Sequence, residues 1–376
     1  MKSLFFKLFH KASGGEHRTV KKKWHGPDRW LLFAAVFLTI FGLLMVYDSS
    51  VAIAIRDFAN QYYFVREQAK WLVVGIAACF IFSRVDYHVW QKFALPFLFA
   101  TIALLLAVFI PKFGVHALGA RRWLNFGFFV LQPAELAKFS LVLYLSAWFC
   151  NPEKRRLTSF LLLIAMVVGL VVAEPDLGTS VILVGIAVVL YFASGAPLYQ
   201  FALLFPAVFI AIVLLAFISP YRLRRLTTFV NPQSDPLGAS YQIRQVLLAL
   251  GSGGMFGVGL GKSRQKYEYL PEANTDSIFA IIGEEMGFVG ALAVIGILLF
   301  IIWRGFRIAK RAPDAFGKFF ALGISSWIAI QTLLNLGSMV ALVPLTGVPL
   351  PLISYGGSGL IILLSAVGIV LNISRQ

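Results

Sequence analysis

The sequence predicts an all-α polytopic membrane protein: about ten transmembrane helices, with a large extracytoplasmic loop between the seventh and the eighth. Three observations predict it. The chain is 59% hydrophobic and 13% charged, with a mean hydropathy of +0.82. Apolar runs of about twenty residues recur along it, the length that crosses a bilayer. Lys and Arg are distributed unevenly between the connections, as the positive-inside rule requires. Its 35 Phe are spread through almost every segment, which no soluble core would bury.

The apolar runs place spans at 30–47, 69–83, 93–110, 134–149, 157–173, 177–193, 199–218, 277–303, 319–343 and 355–373. Residues 1–28 form a basic tail without a small-residue cleavage site, read as a cytoplasmic tail and not a signal peptide. Residues 29–376 are then a single integral membrane domain. The fifth and sixth spans are separated only by Glu174-Pro175-Asp176, a tight turn. With the N-terminus inside, nineteen Lys and Arg face the cytoplasm, thirteen face outward and Lys138 lies within a span. Both termini are therefore expected on the cytoplasmic side of the cytoplasmic (inner) membrane. Seven of the thirteen outer cations fall in one loop, 219–276. That loop departs from the rule and suggests an anionic ligand.

The formal charge of +16 suits a tail held near anionic lipid. Nucleic acid is excluded as a partner, because no soluble domain exists to bind it. Cys79 and Cys150 sit in or beside apolar segments and have neither disulfide nor metal spacing.

The outer loop carries most of the chemistry. Ile243, Val246, Leu247 and Leu250 share one face of a short amphipathic or re-entrant helix, with Gln242, Arg244 and Gln245 on its polar side and Gly251 placed to end it. The glycine-rich stretch 251–261 lets backbone amides approach a ligand, which suits phosphate oxygens; flexible packing is the other reading. Lys262, Arg264 and Lys266 follow at once as loop cations with no obvious core role, then Glu272 and Asp276. Asp276 opens the eighth span, where it is either a helix cap or a half-desolvated carboxylate able to act as a base. Glu284 and Glu285 lie deeper and must face protein or water.

Two further clusters share the outer side. Glu135 and Lys138 are i, i+3 at the start of the fourth span: a self-neutralising pair, or a site where Lys138 meets a phosphate or Asp276. Just before it, Arg121, Arg122 and Trp123 sit at the interface. Residues 349–359 break helicity where the tenth span starts, which is tolerated where backbone is buried in protein or lines a cavity. Gln331 and Asn335 are expected to bond across helices.

Several of these motifs together resemble the SEDS family (shape, elongation, division and sporulation). They are Gly251-Ser252-Gly253-Gly254, Gly259-Leu260-Gly261, Gln265-Lys266, Tyr269-Leu270-Pro271-Glu272-Ala273, Thr275-Asp276 and the run from Ile278 to Glu285. Glu174 to Thr179 and Pro351 to Gly357 match as well, so the resemblance covers Trp30 to Arg375. Gln265-Lys266 and the Tyr269 motif are closer to the division-type branch than to the elongation-type branch. Two positions depart from the family: Asn274 stands where His is usual, and Ser277 where an aromatic is usual.

The resemblance implies a peptidoglycan glycosyltransferase that polymerises lipid II on the outer face of the membrane. It implies a class B penicillin-binding protein (a transpeptidase) and other division proteins as partners. The family's essential loop aspartate corresponds to Asp276. On this reading Asp276 is the general base of an inverting displacement. Lys262, Gln265, Lys266, Arg244, Glu272, Arg121, Glu135, Lys138, Ser354 and Tyr355 contact the substrate, with a divalent cation, Mg or Mn, as a candidate cofactor. A lipid II flippase or transporter and a non-catalytic division scaffold are the rival readings. A transporter calls for charge along a path through both leaflets, whereas here it concentrates on the outer half.

Overall fold

The structure, a computed structural model, describes residues 26–111, 113–117, 120–127, 129–151, 156–204, 206, 210, 227, 229, 239–267 and 269–376. The helices are α1 Arg29–Phe58, α2 Tyr63–Arg84, α3 Tyr87–Ala107, α4 Pro133–Trp148, α5 Arg156–Ala173, α6 Leu177–Ala193, α7 Ala239–Ser252, α8 Ile278–Arg311, α9 Ala315–Met339 and α10 Gly357–Arg375. Among the described residues, α1, α3, α8, α9 and α10 are each long and apolar enough to cross a membrane. The expected span 199–218 lies largely outside the described residues.

Four helices start where an Asp carboxylate accepts an otherwise orphaned backbone N–H. Asp28, Asp86, Asp176 and Asp314 cap α1, α3, α6 and α9. Pro133 opens α4 at a position that needs no N–H donor. α10 lies along α2, α8 along α9, and α9 also packs on α4 and α6. This inner group buries Trp327, Phe320, Leu141, Leu143 and Ile182 almost completely. Many Phe and Leu of α1 to α3 stay exposed, the surface expected to face hydrocarbon.

The sequence did not anticipate three features. α1 runs to Phe58, well past residue 47, so only residues 59–62 join it to α2. The helix continues through Asp48 because that carboxylate finds a cation, Lys266. Residues 114–131 form a small antiparallel sheet of β1 (Gly114–Ala117), β2 (Ala120–Asn125) and β3 (Val130–Leu131), in the order β1-β2-β3. Finally, α8 is broken at Gly287, whose φ of 68° and ψ of −168° are not helical.

Candidate active site

A cavity of about 1300 Å³ opens between the starts of α4, α6, α8 and α10 and the irregular segment 343–357. Residues 349–352 and 354–357 do line it, so non-helical backbone is found where the physics allows it. Its polar lining includes Asp276, Thr275, Glu272, Gln132, Glu135, Arg122, Asp176, Gln331, Ser354 and Tyr355. The three regions that the sequence placed on one side of the membrane thus meet in one space.

Asp276 is half-buried at this wall. It is not the cap of α8, because the cap position falls on Ser277. The capping reading is therefore corrected. What holds this stretch is a grip on three successive carbonyl oxygens. Tyr355 N–H donates to Asn274 O at 2.9 Å. Ser354 Oγ donates to Thr275 O at 2.7 Å. Asn335 Nδ2 donates to Asp276 O at 2.8 Å. The two positions that depart from the family pattern are buried: Asn274 supplies the first carbonyl, and Ser277 Oγ accepts from Gln242 Nε2 at 3.3 Å.

The other end of the same loop is closed on itself. Glu285 accepts from the amides of Gly261 and Ser263, each at 3.0 Å. Glu284 accepts from the Arg264 amide at 3.0 Å and from Ser263 Oγ. Lys266 Nζ lies 3.1 Å from Glu285 Oε1 and 2.7 Å from Asp48 Oδ1. Burial by itself would lower the Lys266 pKa, but its hydrogen bonds to Asp48 and Glu285 outweigh that and raise it. The glycine-rich stretch is packing, not a phosphate cradle. Val258 and Gly259 N–H donate to the Glu284 and Glu285 carbonyls, and Phe288 and Val289 N–H donate to those of Gly254 and Met255. These bonds satisfy the groups freed by the break at Gly287. A Cβ on Gly257 would lie 2.1 Å from Glu285 O, so only glycine permits the approach.

Behind the cavity wall, Lys138 is fully buried. Its Nζ sits 2.7 Å from Glu135 Oε1, 2.9 Å from Gln331 Oε1, and 4.9 Å from the centre of the Trp327 ring. Glu135 lines the cavity, while Lys138 stands behind it. Arg122 donates to the carbonyls of Glu174 and Pro175 at 3.1 and 2.6 Å. The Glu174 carboxylate beside it is buried, and both its oxygens lack a hydrogen-bond partner among the described residues. Burial pushes its pKa up to about 8; Asp176 adds to the rise and Arg122 opposes it.

Glu272, Glu135, Ser354, Tyr355 and Asp276 line the cavity, and Lys138 touches it through Glu135. Lys266 is a correction: it is not an exposed loop cation but 4% exposed and tied to two carboxylates, since an ammonium leaves water only when paired. Lys262 and Arg244 are exposed, Gln265 and Arg121 are half-buried, and none of the four is among the described residues lining the cavity. Arg122 reaches it instead of Arg121, because neighbouring strand residues point to opposite faces. On α7 the buried stripe is Ile243, Val246 and Ala249, and Leu247 is exposed.

Sequence reasoning missed Asp48, Arg122, Asp176 and the role of Asn335. An acid at the end of an apolar run, which needs a partner, was the available signal for Asp48. Among the described residues no group of three or more His, Cys, Asp or Glu could hold a metal ion.

Apolar helices around a cavity with Asp276 at its wall define a class: polytopic membrane proteins with a polar cavity. The family model described as "Cell cycle protein", covering FtsW, RodA and SpoVE, matches residues 29–376. The chain belongs to this family. It is 40% identical over 364 residues to stage V sporulation protein E of Bacillus subtilis, covering 95% of this chain and 99% of that protein. It is 38% identical over 358 residues to the probable peptidoglycan glycosyltransferase FtsW of a Geobacter species, covering 93% and 97%. A structure described as "Structural coordination of polymerization and crosslinking by a peptidoglycan synthase complex" matches with a TM-score of 0.77 at 27% identity, covering 94% of this chain and 98% of that one. Thermus thermophilus RodA, the rod shape determining protein, matches with a TM-score of 0.69 at 28% identity, over the same shares of the two chains.

Proposed function

We propose that the chain is a peptidoglycan glycosyltransferase that polymerises lipid II at the outer face of the cytoplasmic membrane. The observation that carries this reading is the Asp276 wall: a carboxylate at the cavity, with three carbonyls in a row held still. Lipid II carries a pyrophosphate at its anomeric carbon. The 4-hydroxyl of a second saccharide attacks that carbon. The carbon–oxygen bond to pyrophosphate breaks and its electron pair leaves with the lipid pyrophosphate. Asp276 takes the hydroxyl proton, and one displacement inverts the centre. Arg122 is the cation best placed to meet the leaving group, since it lines the cavity where Lys266 does not.

The lipid tail would stay among the spans, which is why the enzyme is a membrane protein. Both termini would lie in the cytoplasm. The partner would be a class B penicillin-binding protein, within a larger set of division proteins. The synthase-complex relative supports that choice. The paired state of Glu135–Lys138 and Lys266–Glu285 favours an enzyme over a flippase, because neither pair leaves an open charge along a transport path. The deciding experiment gives lipid II to the purified full chain with its transpeptidase partner and reads glycan chain length on a gel. Glycan strands support the reading; lipid II crossing the bilayer without polymer overturns it.

A further inference from the structure

Both peptide planes that flank the Asp276 Cα are gripped from outside the loop. The plane before it carries Thr275 O, which accepts from Ser354 Oγ. The plane after it carries Asp276 O, which accepts from Asn335 Nδ2. Peptide groups are rigid, so fixing two successive planes fixes φ and ψ of the residue between them. That sets the direction of its Cα–Cβ bond, and hence the region its carboxylate can reach.

Asn335 is fully buried on α9. Its Nδ2 donates a second time, to Val348 O at 2.8 Å. Two carbonyl acceptors on one nitrogen leave no freedom in the amide orientation, because an oxygen there would face two oxygens. Its Oδ1 is buried without a partner among the described residues. A dry, unmade acceptor is unfavourable, so the side chain is kept for its two donors. Those donors serve loop carbonyls of two segments, at Asp276 and at the cavity wall by Val348. Sequence expected an interhelical bond; the partners are loops.

We propose that Asn335 is the positioning residue of Asp276: it locks the peptide plane that aims the carboxylate at the substrate hydroxyl and joins that plane to the cavity wall. This rests on Asp276 being the base.

The test uses the full-length protein with its transpeptidase partner and lipid II. Asn335→Asp keeps the shape and removes both donors. Turnover at saturating lipid II should fall roughly 10²-fold, as a misplaced catalytic group does. The concentration for half-maximal rate should stay within about twofold. A carboxyl at position 335 regains one donor when protonated, so the ratio of variant to wild-type turnover should climb as pH falls. Turnover is counted per folded molecule, where a residue needed only for folding shows no loss at any pH. Asn335→Leu, of like volume but uncharged, covers the case in which charge unfolds the protein, and it should lose turnover without recovery at low pH. Wild-type turnover in both variants, a loss confined to half-saturation, or an Asn335→Asp ratio flat with pH would overturn the proposal. Asp276→Asn separates the two readings. If it still polymerises, the base assignment fails. If it is dead while both Asn335 variants turn over normally, only the positioning role fails.

Discussion

The loop from Gly257 to Ser277 handles charge in opposite ways at its two ends. At one end Glu284, Glu285, Lys266 and Asp48 close on one another and on the amides of 261, 263 and 264. At the other end the contacts fall on the backbone of 274–276, and Asp276 stands at the wall of a large cavity. The first arrangement consumes its charge in making structure. The second spends its hydrogen bonds on aim. Density of ionisable residues in a sequence is therefore a poor guide to which of them reaches the cavity. The side with more charge is the scaffold.

The sharpest way to break this comparison is Asp276→Asn, which keeps shape and removes basicity. It should lower polymerisation by about 10²-fold or more, the usual contribution of a general base, with no change in melting temperature. A polymerising variant would sink the base assignment.

Lys266→Met should do the reverse. It strands Asp48 and Glu285, and a buried pair broken on one side destabilises by roughly 3–5 kcal/mol. The melting temperature should drop while turnover per folded molecule holds. Replacing Asp48 by Asn in the same chain should recover part of the loss. Lost turnover with an unchanged melt would return Lys266 to the substrate.

Glu135 and Lys138 lie between these extremes, paired like the scaffold yet at the cavity. Glu135→Gln with Lys138→Met should fold better than either single change, because a lone buried charge is the unfavourable state. We expect the folded double variant to be inactive. Full activity in the glycan assay would assign the pair to structure.

Glu174 offers a pH test. Its folded-state pKa is about 8, against an ordinary 4.5. Between those values the folded protein holds a proton that the unfolded chain has released. Stability should therefore fall as pH rises through that window. Glu174→Gln should flatten the dependence and raise the melting temperature near pH 8. An unchanged profile would mean the carboxylate is solvated. The smallest effect is expected for Lys262→Ala, an exposed side chain away from the cavity wall: turnover and melt should both stay near wild type. A marked loss of turnover would bring the loop end back into the site.

Much of this was legible beforehand for reasons of solvent. Apolar runs must be helical in a bilayer, so the expected spans within the described residues overlap helices, with the turn at Glu174-Pro175-Asp176 between two of them. Asp276 was singled out as a carboxylate where loop meets span, and it does reach the cavity. The break at Gly287 was hidden because apolar sequence surrounds it and a lone glycine is common within helices. Lys266 looked like Lys262 on paper, and what separates them is contact with Glu285 on α8 and with Asp48 on α1, the latter more than two hundred positions away.

The sequence alone determined the class of solvent this chain folds in, the helical spans and the carboxylate to suspect. Those follow from hydropathy and from the unfavourable transfer of charge into hydrocarbon, which act through near neighbours in the chain. Tertiary structure alone decided which charges are used up. Pairing Lys266 with Asp48, and Asp276 O with Asn335, depends on which helices lie side by side. Hydrogen bonds and ion pairs act over a few ångströms in space, and separation along the chain carries no record of that distance.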